Sequence, residues 1–424
     1  MNRTIRDRND RHPKPVKRIL LLEKYPKIRL AITILLIGIS ISAFGYALTE
    51  YLTEDAGWTT IEASSSQPSC AEELIFQYQL GAGELSPTAE KKAITALYTE
   101  TTTKAYQLFH TSMSFEEVHN LYYINQHPNQ EIVVDPMLYE AFSLINQYKN
   151  RAIYLAPVYV QYDNLFGCND DLETIDFDPR QNQEIATYFL EILSFANNSN
   201  AIELELLEEN KIKLFVSEAY LKYASENGFS DFIDFYWMKN AFIVDSIANI
   251  MQTNGFLKGS ISSYDGFTRN LDTSRDTEYA FNIFNLDKED NTVYLAGVMK
   301  YDYAIGIVFL RSYPLNVLDW QHYYEFRDGT IQTAYIDTAD GYSKSSVDNL
   351  VSYAKDGSCA EILLQVIPVF ITDDFHVDRL TTLTQSGIYS IYCEDRTIFY
   401  NDIDLHLDLS NKDKVQYAEK YVEK

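Results

Sequence analysis

The stretch Ile233–Gly266, IDFYWMKNAFIVDSIANIMQTNGFLKGSISSYDG, decides the fold. In its centre Ile243, Ile247, Ile250 and Met251 recur at helical spacing, so Met238–Thr253 reads as a helix with one apolar face. Gly255 follows just past its end, where a helix exit favours glycine. Asp234 stands ahead of the helix, where a carboxylate can cap it, and Asp245 lies within it, on what reads as an exposed face.

Outward from this stretch, helices and strands alternate without an obvious break. Ser86–Pro87 pairs an N-cap with proline at the first helical position and opens a helix to about Phe109. Asp135–Pro136 repeats the device for a helix to about Tyr148, and a third helix runs from about Gln181 to Phe195. Ile202, Leu204 and Leu206 alternate with Glu203 and Glu205 before Lys211–Val216, the pattern of a hairpin. Asn291–Leu310 and Tyr323–Ile336 are β-branched and aromatic, hence strand-like. Cys359–Val366 and Asp378–Ser386 read as helices, and Gly387–Tyr400 as a closing hairpin. The sum is an α+β domain with antiparallel sheets and flanking helices.

Charge and composition set the surroundings of that domain. The 424 residues are 46% apolar and 14% aromatic, enough for a large core, and the formal charge of -26 repels a phosphate backbone and excludes a nucleic-acid partner. Residues 1–29 nevertheless hold ten Lys or Arg against three acids, a net of +7 that leaves -33 on the remainder. Between them Leu30–Leu48 has nineteen residues without a charge, enough for a transmembrane helix across roughly 30 Å of hydrocarbon. The basic flank keeps the N-terminus cytoplasmic and places the acidic body outside, as an uncleaved single-pass anchor in the cell membrane. The expected organisation is a basic cytoplasmic tail at 1–29, the span at 30–48, a polar stalk at 49–72 and one extracellular domain at 73–424. Cys70, Cys168, Cys359 and Cys393 all fall on the exported side, where they can pair in three ways or stay as buried thiols. They form no CxxC and no Cys/His cluster of the kind that holds zinc.

Phosphate-binding glycine loops, HExxH and GxSxG are all absent from the sequence. The order of the segments carries more. Asp234 and Asp245 with Gly255, Ile124–Asn125 followed by Glu131–Ile145, AYIDTADGY at Ala334–Tyr342, Cys359–Val366 and Ile388–Tyr400 come in one sequence over about residues 73–405. This succession resembles the ApbE family, the FAD:protein FMN transferases, whose core is a strand ending in Asp-Leu-Gly-Gly-Ile-Ala-Lys-Gly-Tyr followed by a helix with Asp eleven residues on. The resemblance implies an ApbE-like, T-fold-related domain that binds FAD, uses Mg²⁺ and moves FMN to a Thr or Ser of an exported flavoprotein.

Carried over residue by residue, the resemblance places Asp234, Lys239, Asn240, Tyr323 and Asp337 at the cofactor, and Glu361 and Gln365 at the metal. It also shows what has changed. Asn240 stands for the family's Lys, with Lys239 adjacent, and Tyr236 and Trp237 stand for two glycines that let a phosphate approach the backbone. The flavin-side Ala-Phe-Asp becomes Ile153, Tyr154 and Leu155, and Thr-Ser-Gly-Asp-Tyr becomes Asp319, Trp320, Gln321, His322 and Tyr323. Ala334 replaces a His, and Glu361 and Gln365 replace the Asp and Thr of the metal site, where Mg²⁺ requires near-ideal octahedral geometry. Core positions are kept while polar site positions are lost, so the expectation is weak or absent transfer; the alternative is a fully active Mg²⁺-dependent transferase.

Overall fold

The computed structural model describes residues 34–37, 39–40, 54–64, 67–411 and 415–422. The basic tail expected at 1–29 lies outside them, and the span expected at 30–48 meets them only at 34–37 and 39–40. Those six residues are helical, and the side chains of Ile34, Leu35, Leu36, Ile37 and Ile39 are each 53–62% exposed. Among the described residues no helix is long and apolar enough to cross a membrane. Residues 1–54 and 55–424 are separate compact units, and the second carries the fold described below.

The unit begins with a strand, β1 (Gly57–Ile61), paired antiparallel with β2 (Leu74–Leu80). From Asp55 on, the stretch expected to be stalk to residue 72 thus already belongs to the domain. In GWTTI, Trp58 and Thr60 face solvent while Ile61 is buried, and this period-two pattern with β-branched residues suits an edge strand. Next come α1 (Pro87–Leu108), α2 (Leu121–Gln126), β3 (Glu131–Val133), α3 (Pro136–Gln147), α4 (Ala156–Phe166) and α5 (Gln183–Ala196). Ser86 Oγ accepts from Ala89 N and Asp135 Oδ1 from Met137 N, so both Pro-first helices start on the expected caps. The hairpin β4 (Ile202–Leu206) and β5 (Lys211–Val216) forms where expected and leads to α6 (Glu218–Asn227) and α7 (Lys239–Thr253).

The remaining chain is mostly sheet: β6 (Gly259–Ser263), β7 (Phe267–Asn270), β8 (Tyr279–Asp287), β9 (Thr292–Tyr301), β10 (Ile305–Arg311), β11 (Tyr323–Glu325), β12 (Ile331–Thr333) and β13 (Asn349–Lys355). Two helices, α8 (Cys359–Phe370) and α9 (Val377–Gln385), precede β14 (Tyr389–Glu394), β15 (Thr397–Tyr400), β16 (His406–Leu409) and β17 (Ala418–Tyr421). Nine strands make one sheet in the order β1-β2-β6-β7-β10-β13-β14-β15-β17, antiparallel throughout except for the β15–β17 pair. A three-stranded sheet, β16-β9-β8, covers one face, and α7 with α1 and α8 covers the other.

Strand β10 records this layering in its sequence. All seven residues of IGIVFLR are buried. Ile305, Ile307 and Phe309 enter the core beneath the three-stranded sheet, while Val308 and Leu310 enter the larger core beneath the helices. A strand covered on both faces loses the alternating pattern and reads as a continuous apolar run. The four cysteines stay apart as free thiols, with Cys70, Cys359 and Cys393 buried and Cys168 part-exposed.

Candidate functional site

A cleft of about 340 Å³ opens where six parts of the fold meet. Cys70 and Glu73 come from the turn before β2, Tyr106 from α1 and Asp163 from α4. Lys239, Asn240 and Ile243 come from the start of α7, Tyr264 and Asp265 from the β6–β7 turn, and Asp319 and His322 from the short turn before β11.

Local chemistry fixes these parts. Gly266 has φ +114°, and a Cβ there would sit 2.3 Å from the Phe309 carbonyl oxygen, so only glycine lets the β6–β7 turn lie against β10. Arg311, 1% exposed, donates to the Tyr264 carbonyl (3.0 Å) and to Asp319 Oδ1 (2.6 Å). The second Asp319 oxygen accepts from the amides of Leu315 and Asn316. One buried ion pair therefore ties the turn carrying Asp265 to the turn carrying His322.

Two polar groups line the cleft. In the first, Glu73 accepts from Lys239 Nζ (3.0 Å) and from Asn240 Nδ2 (2.9 Å), and Asn240 Nδ2 also donates to Asp265 Oδ2 (3.0 Å). Asn240 Oδ1, Asp265 Oδ1 and His322 Nδ1 are buried without a hydrogen-bond partner. In the second, Asp234 Oδ1 accepts from the Tyr236 amide (2.7 Å) and the Tyr236 hydroxyl donates to Asp163 (2.5 Å). The Tyr236 ring stacks on Tyr159 at 4.3 Å. Tyr236 holds φ +48°, a left-handed backbone that costs a side-chain-bearing residue about 1–2 kcal/mol.

Desolvation dominates the electrostatics. Burial lifts the Asp234 carboxyl to about 7, with Asp163 adding to the rise and the Tyr236 amide opposing it. Burial likewise lifts Asp265 to about 6 against hydrogen bonds from Ser263 and Asn240, and raises Asp163. It pushes His322 down to about 4, helped by the charge on Lys239. For Lys239 burial works against the ammonium, but Glu73 outweighs it and the net direction is up.

Of the residues expected at a cofactor, Asp234, Lys239 and Asn240 line this cleft together. Asp234 sits in a loop entering the short turn Tyr236–Met238 instead of at a strand end, and its carboxylate caps that turn, not α7. Tyr323 is buried beside the cleft at a void of about 20 Å³ shared with Trp237, Ala334 and Tyr335, its hydroxyl donating to the Arg311 carbonyl. Asp337 is elsewhere, paired with Lys344 at 2.9 Å.

Glu361 and Gln365, expected at a metal, lie on α8 and do not line the cleft. Gln365 Nε2 instead donates to the Tyr148 hydroxyl and to the Glu361 carbonyl within its own helix. Asp245 is buried, where the sequence suggested an exposed face. It accepts from the Cys359 and Ala360 amides, Ser358 Oγ and Arg269, and so fastens the N-terminus of α8 to α7. Glu73, Asp163 and Asp265 were not singled out from the sequence, although Tyr264-Asp265-Gly266 carries the Asp-Gly signal of a tight hairpin turn.

No family model and no curated protein sequence matches the chain. Solved structures do, and the architecture is ApbE-like. One similar structure is the ApbE protein of Thermotoga maritima, at 12% identity over 80% of this chain and 94% of that one, with TM-score 0.51. Another is the flavin transferase ApbE of Vibrio cholerae, at 13% identity over 84% and 98%, with TM-score 0.50. At these identities the likeness is one of fold.

FAD and Mg²⁺, which the sequence resemblance implies, do not fit this lining. Tyr236 puts a ring in the cleft where the resemblance places a glycine, and Lys239, the one Lys or Arg among the described lining residues, is already bonded to Glu73. Glu73, Asp163, Asp234 and Asp265 set their carboxyl groups where an anionic pyrophosphate would need donors. Among the described residues no three His, Cys, Asp or Glu side chains group as metal ligands.

Proposed function

We propose that this is a membrane-anchored, extracytoplasmic protein of ApbE-like fold that keeps the cleft as a binding site and does not transfer FMN. Its N-terminus is cytoplasmic, and the domain from residue 55 onward faces outside. The charge asymmetry about Leu30–Leu48 supports the anchoring, as do the exposed apolar side chains of the helical residues 34–37 and 39.

The observation that carries the loss of transfer is Tyr236. It occupies a backbone conformation suited to glycine, and its ring is clamped by Tyr159 and Asp163 inside the cleft. Phosphoryl-type transfer depends on positioning and on stabilising charge at the phosphate oxygens, and losing one such element costs roughly 10²- to 10³-fold in rate. Here the lining offers acceptors in place of those donors. An exported flavoprotein would then be a partner to bind, not a substrate to modify.

The test is incubation of the intact chain with FAD, Mg²⁺ and a Thr-containing acceptor from an exported flavoprotein, followed by in-gel flavin fluorescence. No Mg²⁺-dependent labelling is expected. Robust labelling that disappears in Glu361→Ala would restore an active transferase.

A further inference from the structure

Two acceptors among the residues that line the cleft are left without a donor. Asn240 is 3% exposed, and its amide nitrogen already gives hydrogen to Glu73 Oε2 and Asp265 Oδ2. That assignment leaves Asn240 Oδ1 as an acceptor with nothing to accept, beside the equally unpartnered Asp265 Oδ1. An unsatisfied buried acceptor costs about 1–3 kcal/mol, so whatever occupies the cleft gains by bringing N–H groups. Lys239 bonds Glu73 and reaches neither of these two oxygens. Tyr106, Phe109, Tyr236 and Tyr264 also line the cleft and can bury an apolar body. The volume of about 340 Å³ is at the lower end for small-molecule sites.

We infer that the cleft binds a compact primary amine as its ammonium ion, with Asn240 Oδ1 and Asp265 Oδ1 accepting its N–H bonds and the aromatic wall holding its apolar part. This rests on the reading that the cleft binds without transferring FMN, and it assigns the class of ligand. A divalent cation fits less well, because no three His, Cys, Asp or Glu side chains converge among the described residues. An anion would meet the carboxyl groups of Glu73, Asp163, Asp234 and Asp265.

The experiment is calorimetric titration of the intact chain in detergent micelles with benzylamine, with benzyl alcohol as the uncharged isostere and FAD as the anion. Benzylamine should bind at least tenfold more tightly than benzyl alcohol. Asp265→Asn should weaken benzylamine about tenfold. Lys239→Met, which releases Glu73 to accept from the ligand, should tighten it severalfold, a gain that a damaged fold would not produce. Equal binding of amine and alcohol, failure of benzylamine to bind, or Lys239→Met leaving its affinity unchanged would overturn the inference. If neither amine nor FAD binds, the ligand assignment fails while absence of transfer stands; if FAD binds and labels the acceptor, both readings fail.

Discussion

Replacing Asp234 with Asn should stabilise the protein at pH 8 and do so by only about a quarter as much at pH 4.5. Asp234 has a carboxyl pKa raised from 3.8 to about 7 because folding takes it out of water, with Asp163 and Asp231 reinforcing the rise and the Tyr236 amide and Lys239 opposing it. Its folded pKa is above its unfolded one, so between about pH 4 and 7 the native state holds a proton that the unfolded chain has lost. Stability therefore falls as pH rises through that window, and the penalty is complete above pH 7. At roughly 1.36 kcal/mol per pH unit the rise corresponds to about 4 kcal/mol. The carboxyl keeps an edge on the cleft, where water trims this to about 2–4 kcal/mol.

Asn preserves the acceptor that takes the Tyr236 N–H at 2.7 Å and cannot ionise, so it removes the penalty without breaking the turn. The measurement is urea unfolding of the intact chain in micelles, followed by tyrosine and tryptophan fluorescence, for both proteins at pH 4.5, 6 and 8. The native protein should lose stability across the series while Asp234→Asn loses distinctly less. Parallel curves, or a variant weaker than the native protein at pH 8, would refute the account of Asp234 as a buried carboxyl held at a cost.

Gly266→Ala should destabilise by about 2 kcal/mol or more and displace Asp265, since the new Cβ would meet the Phe309 carbonyl oxygen at 2.3 Å and the φ of +114° is strained for any L side chain; the midpoint of urea unfolding, together with loss of benzylamine binding, reads both effects. Alkylation of the native protein at pH 8 should modify Cys168 well before the other three cysteines. Cys70 and Cys393 are buried with thiols pushed up to about 12 by desolvation, and Cys359 is raised for the same reason. Mass spectrometry of peptides before and after denaturation would check it, and rapid native labelling of Cys359 would contradict the packing of α8 on the sheet.

The helices were legible where their signals are local. Ser86–Pro87 and Asp135–Pro136 mark helix starts, and the apolar spacing through Met251 marks α7, because caps and periodicity act within a few residues. The edge strand β1 was hidden in a stretch too short and polar to stand out, since its pairing with β2 is decided some twenty residues further along. The site was half legible for the same reason. Asp234, Lys239 and Asn240 are near neighbours in sequence and were found together, whereas Glu73, Asp163 and Asp265 reach the cleft from three other elements. Arg311 was overlooked because it ends an apolar strand, yet its buried pair with Asp319 joins two walls of the cleft.

Tyr236 shows why fold and site can part company. Its left-handed backbone is imposed from both sides: the Asp234 amide donates to the Ile153 carbonyl just upstream, and α7, packed against α1, α8 and the sheet, begins just downstream. Such long-range packing fixes the path of the chain whether or not the residue on it suits that path. Once the path is fixed, a ring can recover much of the local strain. Stacking on Tyr159 contributes about 0.5–1.5 kcal/mol and the hydrogen bond to Asp163 about 1.5–3 kcal/mol, against the roughly 1–2 kcal/mol cost of the conformation. A glycine position can thus be filled without loss of the fold, and the filling removes the open backbone that a phosphate would approach. In the same cleft the acceptors of Asn240 and Asp265 stay unanswered, so the chemistry that remains there selects for a cation.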